Sequence, residues 1–229
     1  MQIPELIPGI QEHNELNPLL WQGELLRDDV KQALLKIAKR FVEYLDVPVE
    51  VEDIIVTGSQ ASYNYTAHSD LDLHIIVDYA TVQCDQPVEE LFDTKRKLWK
   101  LSHHITIHGV PVELYAEDTA RPVTGSTYSI LSNNWKVKAK KQRSPDLSTV
   151  GKTTRAWAIL INKAIESKDE NHLQEVKTML MHYRQLSLKQ EGEMSKGNIV
   201  FKSLRNSGLL AKLMNALNTA QDRFLSLPD

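Results

Sequence analysis

The sequence predicts an α/β (α+β) fold, with a small mixed sheet and its helices first and a C-terminal helical domain after it. Three observations lead there. Residues 52–57 and 69–78 read as strands lying between segments of helical period at about 28–46 and 87–103. A hairpin-like pair, HITIH at 104–108 and PVELYAE at 111–117, follows with a turn at Gly109-Val110. After Arg121-Pro122 the apolar residues recur only at helical spacing.

Each element has its own reason. Pro4, Pro8, Gly9 and Pro18 break any period over residues 1–23, so an irregular arm is expected, anchored by Leu19, Leu20 and Trp21. Val30, Leu34, Ile37, Phe41 and Leu45 give the first helix its stripe, with Asp28 as N-cap and Pro48 as its stop. EDIIVT at 52–57 ends at Gly58, and SDLDLHIIVD at 69–78 is the second strand. Asp85 or Gln86 caps a helix starting at Pro87, with Val88, Leu91, Phe92, Leu98 and Trp99 on its buried side. Residues 126–150 hold Asn133-Asn134, Pro145 and a basic cluster, and read as a connecting segment between a domain at 1–125 and one at 151–229. Helices are then expected at about 152–166 (Trp157, Leu160, Ile161, Ile165), 170–188 (Leu173, Val176, Leu180, Tyr183, Leu186), 196–206 and 209–226 (Leu209, Leu213, Leu217, Phe224). Met179, Met181 and Met214 read as helix-core filler.

Composition narrows the class. A hydrophobic content of 41% in 229 residues is enough for a real core. One cysteine, Cys84, excludes an intramolecular disulfide framework and a thiolate zinc site, and suits a reducing compartment. The start, MQIPELIPGIQEHNE, has neither the basic nor the apolar region of a signal peptide, and no run is long enough to span a membrane. A cytoplasmic protein without membrane contact is the expectation. The net charge of −3 divides into −7 over residues 1–149 and +4 over 150–229. Lys136, Lys138, Lys140, Lys141, Arg143, Lys152 and Arg155 crowd one segment with only Asp146 against them. That segment is either a seam facing phosphates or a solvated linker.

One constellation carries chemistry. Gly58-Ser59 ends a strand, ten residues follow, and Asp70-Leu71-Asp72 opens the next strand. Glycine lets backbone approach a ligand closely, and serine adds a hydroxyl where free N–H groups favour phosphate. Side chains alternate along a strand, so Asp70 and Asp72 share one face and Leu71, Leu73 and Ile75 the other. Two carboxylates on one face repel unless a cation lies between them, and Mg²⁺ takes hard oxygen ligands of this kind. Glu113, an acid inside the apolar run Val110–Tyr115, is the third candidate ligand; Glu117 and Asp118, nearer the strand end, are its substitutes. The competing reading makes Gly58-Ser59 an ordinary capped turn and the acids solvent-facing.

These residues resemble the nucleotidyltransferase superfamily, whose fold is shared with DNA polymerase β. Its signature is Gly-Ser, a spacer, Asp-x-Asp and a later strand carboxylate. TGSQASYNYTAHSDLDLHIIVD at 57–78 is similar to a subgroup of small, often phage-encoded proteins of that superfamily. Asn17-Pro18, Leu20-Trp21, Tyr128-Ser129, Trp135, Asn198–Lys202 and Leu204-Arg205 are similar to the same subgroup. The resemblance implies a Mg²⁺-dependent enzyme, with Mn²⁺ as the substitute metal. It would move a nucleoside monophosphate from a nucleoside triphosphate, ATP first among candidates, to an acceptor hydroxyl. Asp70, Asp72 and Glu113 would be the catalytic and metal-binding carboxylates, and Gly58, Ser59 and Ser69 would bind the nucleotide. The active site would lie in a cleft between the two domains. Many members place an arginine between Gly-Ser and the aspartates; this chain has Tyr63, Asn64, Tyr65 and His68 there. Arg184, Lys202 and Arg205 are the nucleotide-binding substitutes, with Lys136 and Lys138 as further candidates.

The acceptor is open: tRNA or another RNA end is favoured by the basic segment, a target protein next, then a small alcohol. A nucleotide- or partner-binding regulatory module is the alternative from another class. His74 reads as a core or supporting residue rather than a ligand, and His103, His104 and His108 as structural. Tyr63 and Tyr65 either stack on a base or pack under their loop. Cys84 has no activating partner in sequence and reads as inert. No nucleophile elbow and no P-loop are present.

Overall fold

A computed structural model describes residues 13–84, 87–121, 125–141 and 145–227. The expected cap at Asp85 or Gln86, residues 1–12 of the arm, Pro122 and Arg143 lie outside them. The fold is mixed α and β, and the chain divides into two compact units, residues 11–142 and, for its helical part, residues 143–229.

In the first unit, Trp21–Gln22 (β1) and Leu25–Leu26 (β2) form a two-stranded ribbon. Asp28–Leu45 is α1, with Val30, Leu34, Ala38, Phe41 and Leu45 buried along one stripe. Its N-cap is Arg27, not Asp28; Asp28 and Asp29 fill the first turn, where carboxylates favour the helix dipole. The strands are Val51–Thr57 (β3), Leu71–Val77 (β4), Thr106–Ile107 (β5), Val110–Asp118 (β6), Thr127–Ser129 (β7) and Asn134–Val137 (β8). Val88–Ser102 (α2) lies between β4 and β5. The six strands run in the order β5-β6-β4-β3-β7-β8. Only β4 and β6 pair in parallel, because the α2 crossover joins them; the other pairs are antiparallel. The β5–β6 turn is His108-Gly109, with φ 48° and 81°, one residue earlier than the spacing suggests.

Alternation separates the two faces of the sheet. Val56, Leu71, Leu73, Ile75, Val77 and Leu114 join the α1 and α2 stripes in one apolar core with Phe41, Phe92 and Trp99. Ile55 and Thr57, Asp72 and His74, and Glu113, Tyr115 and Glu117 take the opposite face.

Residues 126–150 are not a plain connector. Thr127–Ser129 pairs with β3 and Asn134–Val137 pairs with β7, so the segment completes the sheet. Tyr128 and Ile130 are fully buried, and Trp21 packs edge-on against Tyr128 at 5.1 Å and stacks on Trp135 at 5.0 Å. Leu20 and Trp21 anchor the arm, whereas Leu19 is exposed.

The helical unit contains Leu147–Ser167 (α3), Glu170–Glu191 (α4), Lys196–Asn206 (α5) and Leu209–Leu225 (α6). Asp146 caps α3 by accepting from Ser148 N and Thr149 N at 3.1 and 3.2 Å, which starts that helix before residue 152. Asp169 and Ser195 cap α4 and α5 in the same way. Val150, Ile161, Leu173, Val176, Leu180, Ile199, Val200, Leu204, Leu213 and Leu217 form the core. Leu160, Leu186, Phe224, Met179, Met181 and Met214 are exposed, as is Leu98 in α2, so these residues are not core filler. Among the described residues no helix is long and apolar enough to cross a membrane.

Candidate active site

The sheet's second face carries the expected residues. β3 ends at Gly58, whose φ of 72° and ψ of −156° suit glycine alone. A single 3₁₀ turn, Ser59–Ala61, follows it. The Asp72 carboxylate lies against the Gly58 Cα, so that a Cβ built there would stand 3.2 Å from Asp72 Cγ and closer still to Oδ2. Asp72 pairs in register with Thr57 on one side and with Glu113 on the other. Asp70 precedes β4 by one residue and is partly exposed. The Tyr115 phenol is raised above its usual range by burial first, then by Asp72 and Asp70, while Arg96 opposes them. Strand register places Asp72 on the Tyr115 face of the sheet.

The loop from 59 to 69 is held by a buried glutamine. Gln60 accepts from Asn17 Nδ2 at 2.9 Å and donates to the Ser69 carbonyl at 2.9 Å. Trp21 Nε1 donates to the Gln60 carbonyl at 2.8 Å. The Ser69 hydroxyl accepts from Thr66 N at 3.0 Å, so it closes the loop. Ser59 has no side-chain hydrogen bond to any described residue, which leaves its hydroxyl available beside Gly58.

Glu113 already has partners. Lys100, from the last turn of α2, forms an ion pair with Oε1, and Tyr115 donates to Oε2 at 2.9 Å. Arg96 lies over the Tyr115 ring, 5.1 Å from its centroid. His74 stacks on Tyr115 at 4.6 Å; its Nδ1 is 3.1 Å from Glu117 Oε1, off the line of an aligned hydrogen bond. Glu117 is pulled below its usual value by that imidazole, against the burial that raises it. Among the described residues no three His, Cys, Asp or Glu side chains converge as a ready metal site. Asp72 and Glu113 stand on adjacent strands, but Glu113 is turned to Lys100. Tyr115 was legible as the next residue on the Glu113 face; Lys100 reaches it from a separate helix, which no local spacing reveals.

The other sequence candidates divide. Tyr65 stacks on His13 at 3.9 Å, and Tyr63 packs on the core with Lys141 over its ring. His103 stacks on Trp99 and His108 contacts Asp29 at 2.9 Å, so these histidines do not cluster. Lys136 pairs with Asp53, Lys138 with Glu24 at 2.8 Å, and Lys141 with Asn14 at 3.2 Å. Much of the basic segment is thus spent on local partners, which weakens it as an RNA-facing seam.

In the helical unit, Arg184 lies over Phe201 at 4.2 Å from its centroid and donates Nε to Asn198 Oδ1 at 3.0 Å. Lys202 contacts Glu193 Oε2 at 3.3 Å. Burial draws the Arg184 guanidinium below its usual range; Glu193 opposes this and Arg205 adds to it. Arg184 and Lys202 are thus linked through Asn198 and Glu193.

An apolar groove of about 680 Å³ between α1 and β5, lined by Ile37, Tyr44, Trp99 and Ile107, lacks the aspartates. Compared with protein-family models, curated proteins and solved structures, the chain matches none.

Proposed function

We propose that the chain is a Mg²⁺-dependent nucleotidyltransferase: an acceptor hydroxyl oxygen bonds to the α-phosphorus of a nucleoside triphosphate, the α–β phosphoanhydride bond breaks, and pyrophosphate leaves. The observation that carries this reading is the packing of Asp72 against Gly58, in register with Glu113 and two residues after Asp70. Their oxygens are the donor set that Mg²⁺ prefers, and the bare glycine lets the Asp72 carboxylate pack against the turn that leads to Ser59. The metal, when bound, would supply charge neutralisation at the phosphate oxygens. Asp70 and Asp72 would hold it, and Glu113 would join them on release from Lys100. Gly58 and Ser59 would grip the phosphates. Glu113 would accept the acceptor's proton, with Tyr115 orienting it.

The test is incubation with each α-³²P-labelled triphosphate, Mg²⁺ or Mn²⁺ and a cell lysate, followed by ribonuclease or protease. Label that disappears with Asp70→Asn/Asp72→Asn supports the reading; ribonuclease sensitivity makes the acceptor RNA, and protease sensitivity makes it protein. No transferred label with any triphosphate overturns it. One observation favours a second reading, a binding module without catalysis: the Lys100 ammonium already neutralises Glu113. That reading expects nucleotide binding without transfer.

A further inference from the structure

Asn198, Phe201, Lys202 and Arg205 recur at i, i+3, i+4 and i+7, so they form one stripe of α5. Asn198 is fully buried, and its amide is fixed at both ends. Its Oδ1 accepts from Arg184 Nε, and its Nδ2 donates to the Glu193 carbonyl at 2.8 Å and to Glu193 Oε2 at 3.0 Å. Gly197 brings the two helices close: a Cβ there would meet the Tyr183 carbonyl of α4 at 3.0 Å. Arg184 is thereby held over the Phe201 ring, with Nε used and its terminal nitrogens bonded to no described residue. Arg205 is exposed, and among the described residues its side chain contacts only Asn206 Oδ1, at 3.5 Å.

Three cations and a single carboxylate leave this face with a formal charge of +2. A guanidinium held in place as Arg184 is, with an exposed one on the neighbouring helix at Arg205, suits the oxygens of a phosphate.

We propose that the α4–α5 face is a binding site for a phosphate group, independent of any metal. Arg184 and Arg205 donate to its oxygens, Lys202 adds charge, and Asn198 fixes the geometry. It rests on the nucleotidyl-transfer reading only for the source of the phosphate, the donor's polyphosphate or the acceptor's own phosphate.

The experiment is calorimetric titration of the full chain with inorganic triphosphate in the presence of EDTA. Saturable one-site binding is expected, weakened at least tenfold by Arg205→Glu and tightened by Glu193→Gln. Asp70→Asn/Asp72→Asn should leave it within twofold, which separates this site from the aspartates. Arg184→Met could unpack Phe201, so the exposed Arg205 carries the test, with circular dichroism checking the fold. A parallel titration with a 5′-phosphorylated dinucleotide distinguishes the sources: tighter binding than inorganic triphosphate assigns the acceptor's phosphate, weaker binding the donor's. Absence of saturable binding, or binding indifferent to Arg205→Glu, overturns the proposal. Binding lost with the aspartates also overturns it, and failure here leaves the labelling test of transfer untouched.

Discussion

Gly58→Ala should damage the first unit in two separable ways. The φ of 72° and ψ of −156° lie where only glycine rests without strain, a cost of about 1–3 kcal/mol for another residue. The new methyl group would also displace the Asp72 carboxylate, and an off-rotamer side chain adds about 0.5–1.5 kcal/mol. Together these reach about 1.5–4.5 kcal/mol. At about 4 °C per kcal/mol for a unit of this size, the melting temperature falls by roughly 6–18 °C. Gly109→Ala is the control, because its φ is 81° with nothing within 4 Å of the new Cβ. It should cost only the backbone strain, about 1–2 kcal/mol. A double-mutant cycle isolates the contact. In an Asp72→Ala background the Gly58→Ala penalty should shrink toward that of Gly109→Ala, giving a coupling of about 0.5–1.5 kcal/mol. Thermal and urea unfolding measure each variant. A coupling below about 0.5 kcal/mol would show that Asp72 does not rest on Gly58, and the candidate site would lose its central contact.

Four further outcomes are expected. Lys100→Met should tighten binding of Mg²⁺ or Mn²⁺ about three- to fivefold, since the exposed Lys100 contributes at most about 1 kcal/mol to its ion pair; calorimetric titration reads it. His74→Phe should move the Glu117 titration, followed by NMR, up toward 4.5. Because the folded-state pKa is depressed, the stabilisation is present in full above about 4.5 and fades as pH falls through the lower folded value. Tyr79, pushed up to about 12 by burial first and by Glu117 and Asp118 after it, should stay protonated in ultraviolet titrations past pH 10, and its contribution to stability is lost as pH rises toward 12. Phe41→Ala, at a fully buried position edge-on to Trp99, should cost about 3–5 kcal/mol in chemical unfolding.

What was legible in the chain followed from period. On β4, Leu71, Leu73, Ile75 and Val77 alternate with Asp72 and His74, and the structure buries the first set completely. α1 and α5 are likewise close to the spans their spacing implies. Period failed where elements are short. β7 has three residues and β8 four, too few to show alternation against the lysines of the same segment. Amphipathic spacing also overstated burial, since an apolar residue at the edge of a stripe, such as Leu98 or Met179, is free to remain in water. The carboxylates could be read as a set, but the Lys100 contact with Glu113 could not. It joins a helix end to a neighbouring strand, and depends on where α2 packs rather than on what precedes or follows either residue.

The ten-residue spacer between Ser59 and Asp70 has a physical explanation. A loop of that length would be loose if it were held only at its ends. Gln60 removes that freedom by bonding to the Ser69 carbonyl, one residue before Asp70, while its own carbonyl is pinned by Trp21. Asn17 then fixes the glutamine amide so that its oxygen and nitrogen cannot exchange roles. The positions of Gly58 and Asp70 are thus coupled through residues forty positions earlier in the chain. An Asn17→Ala change would leave the Gln60 oxygen buried without its partner, at about 1–3 kcal/mol. The same buried amide network thus stabilises the fold and ties the loop that separates Gly58 from Asp70 at both ends.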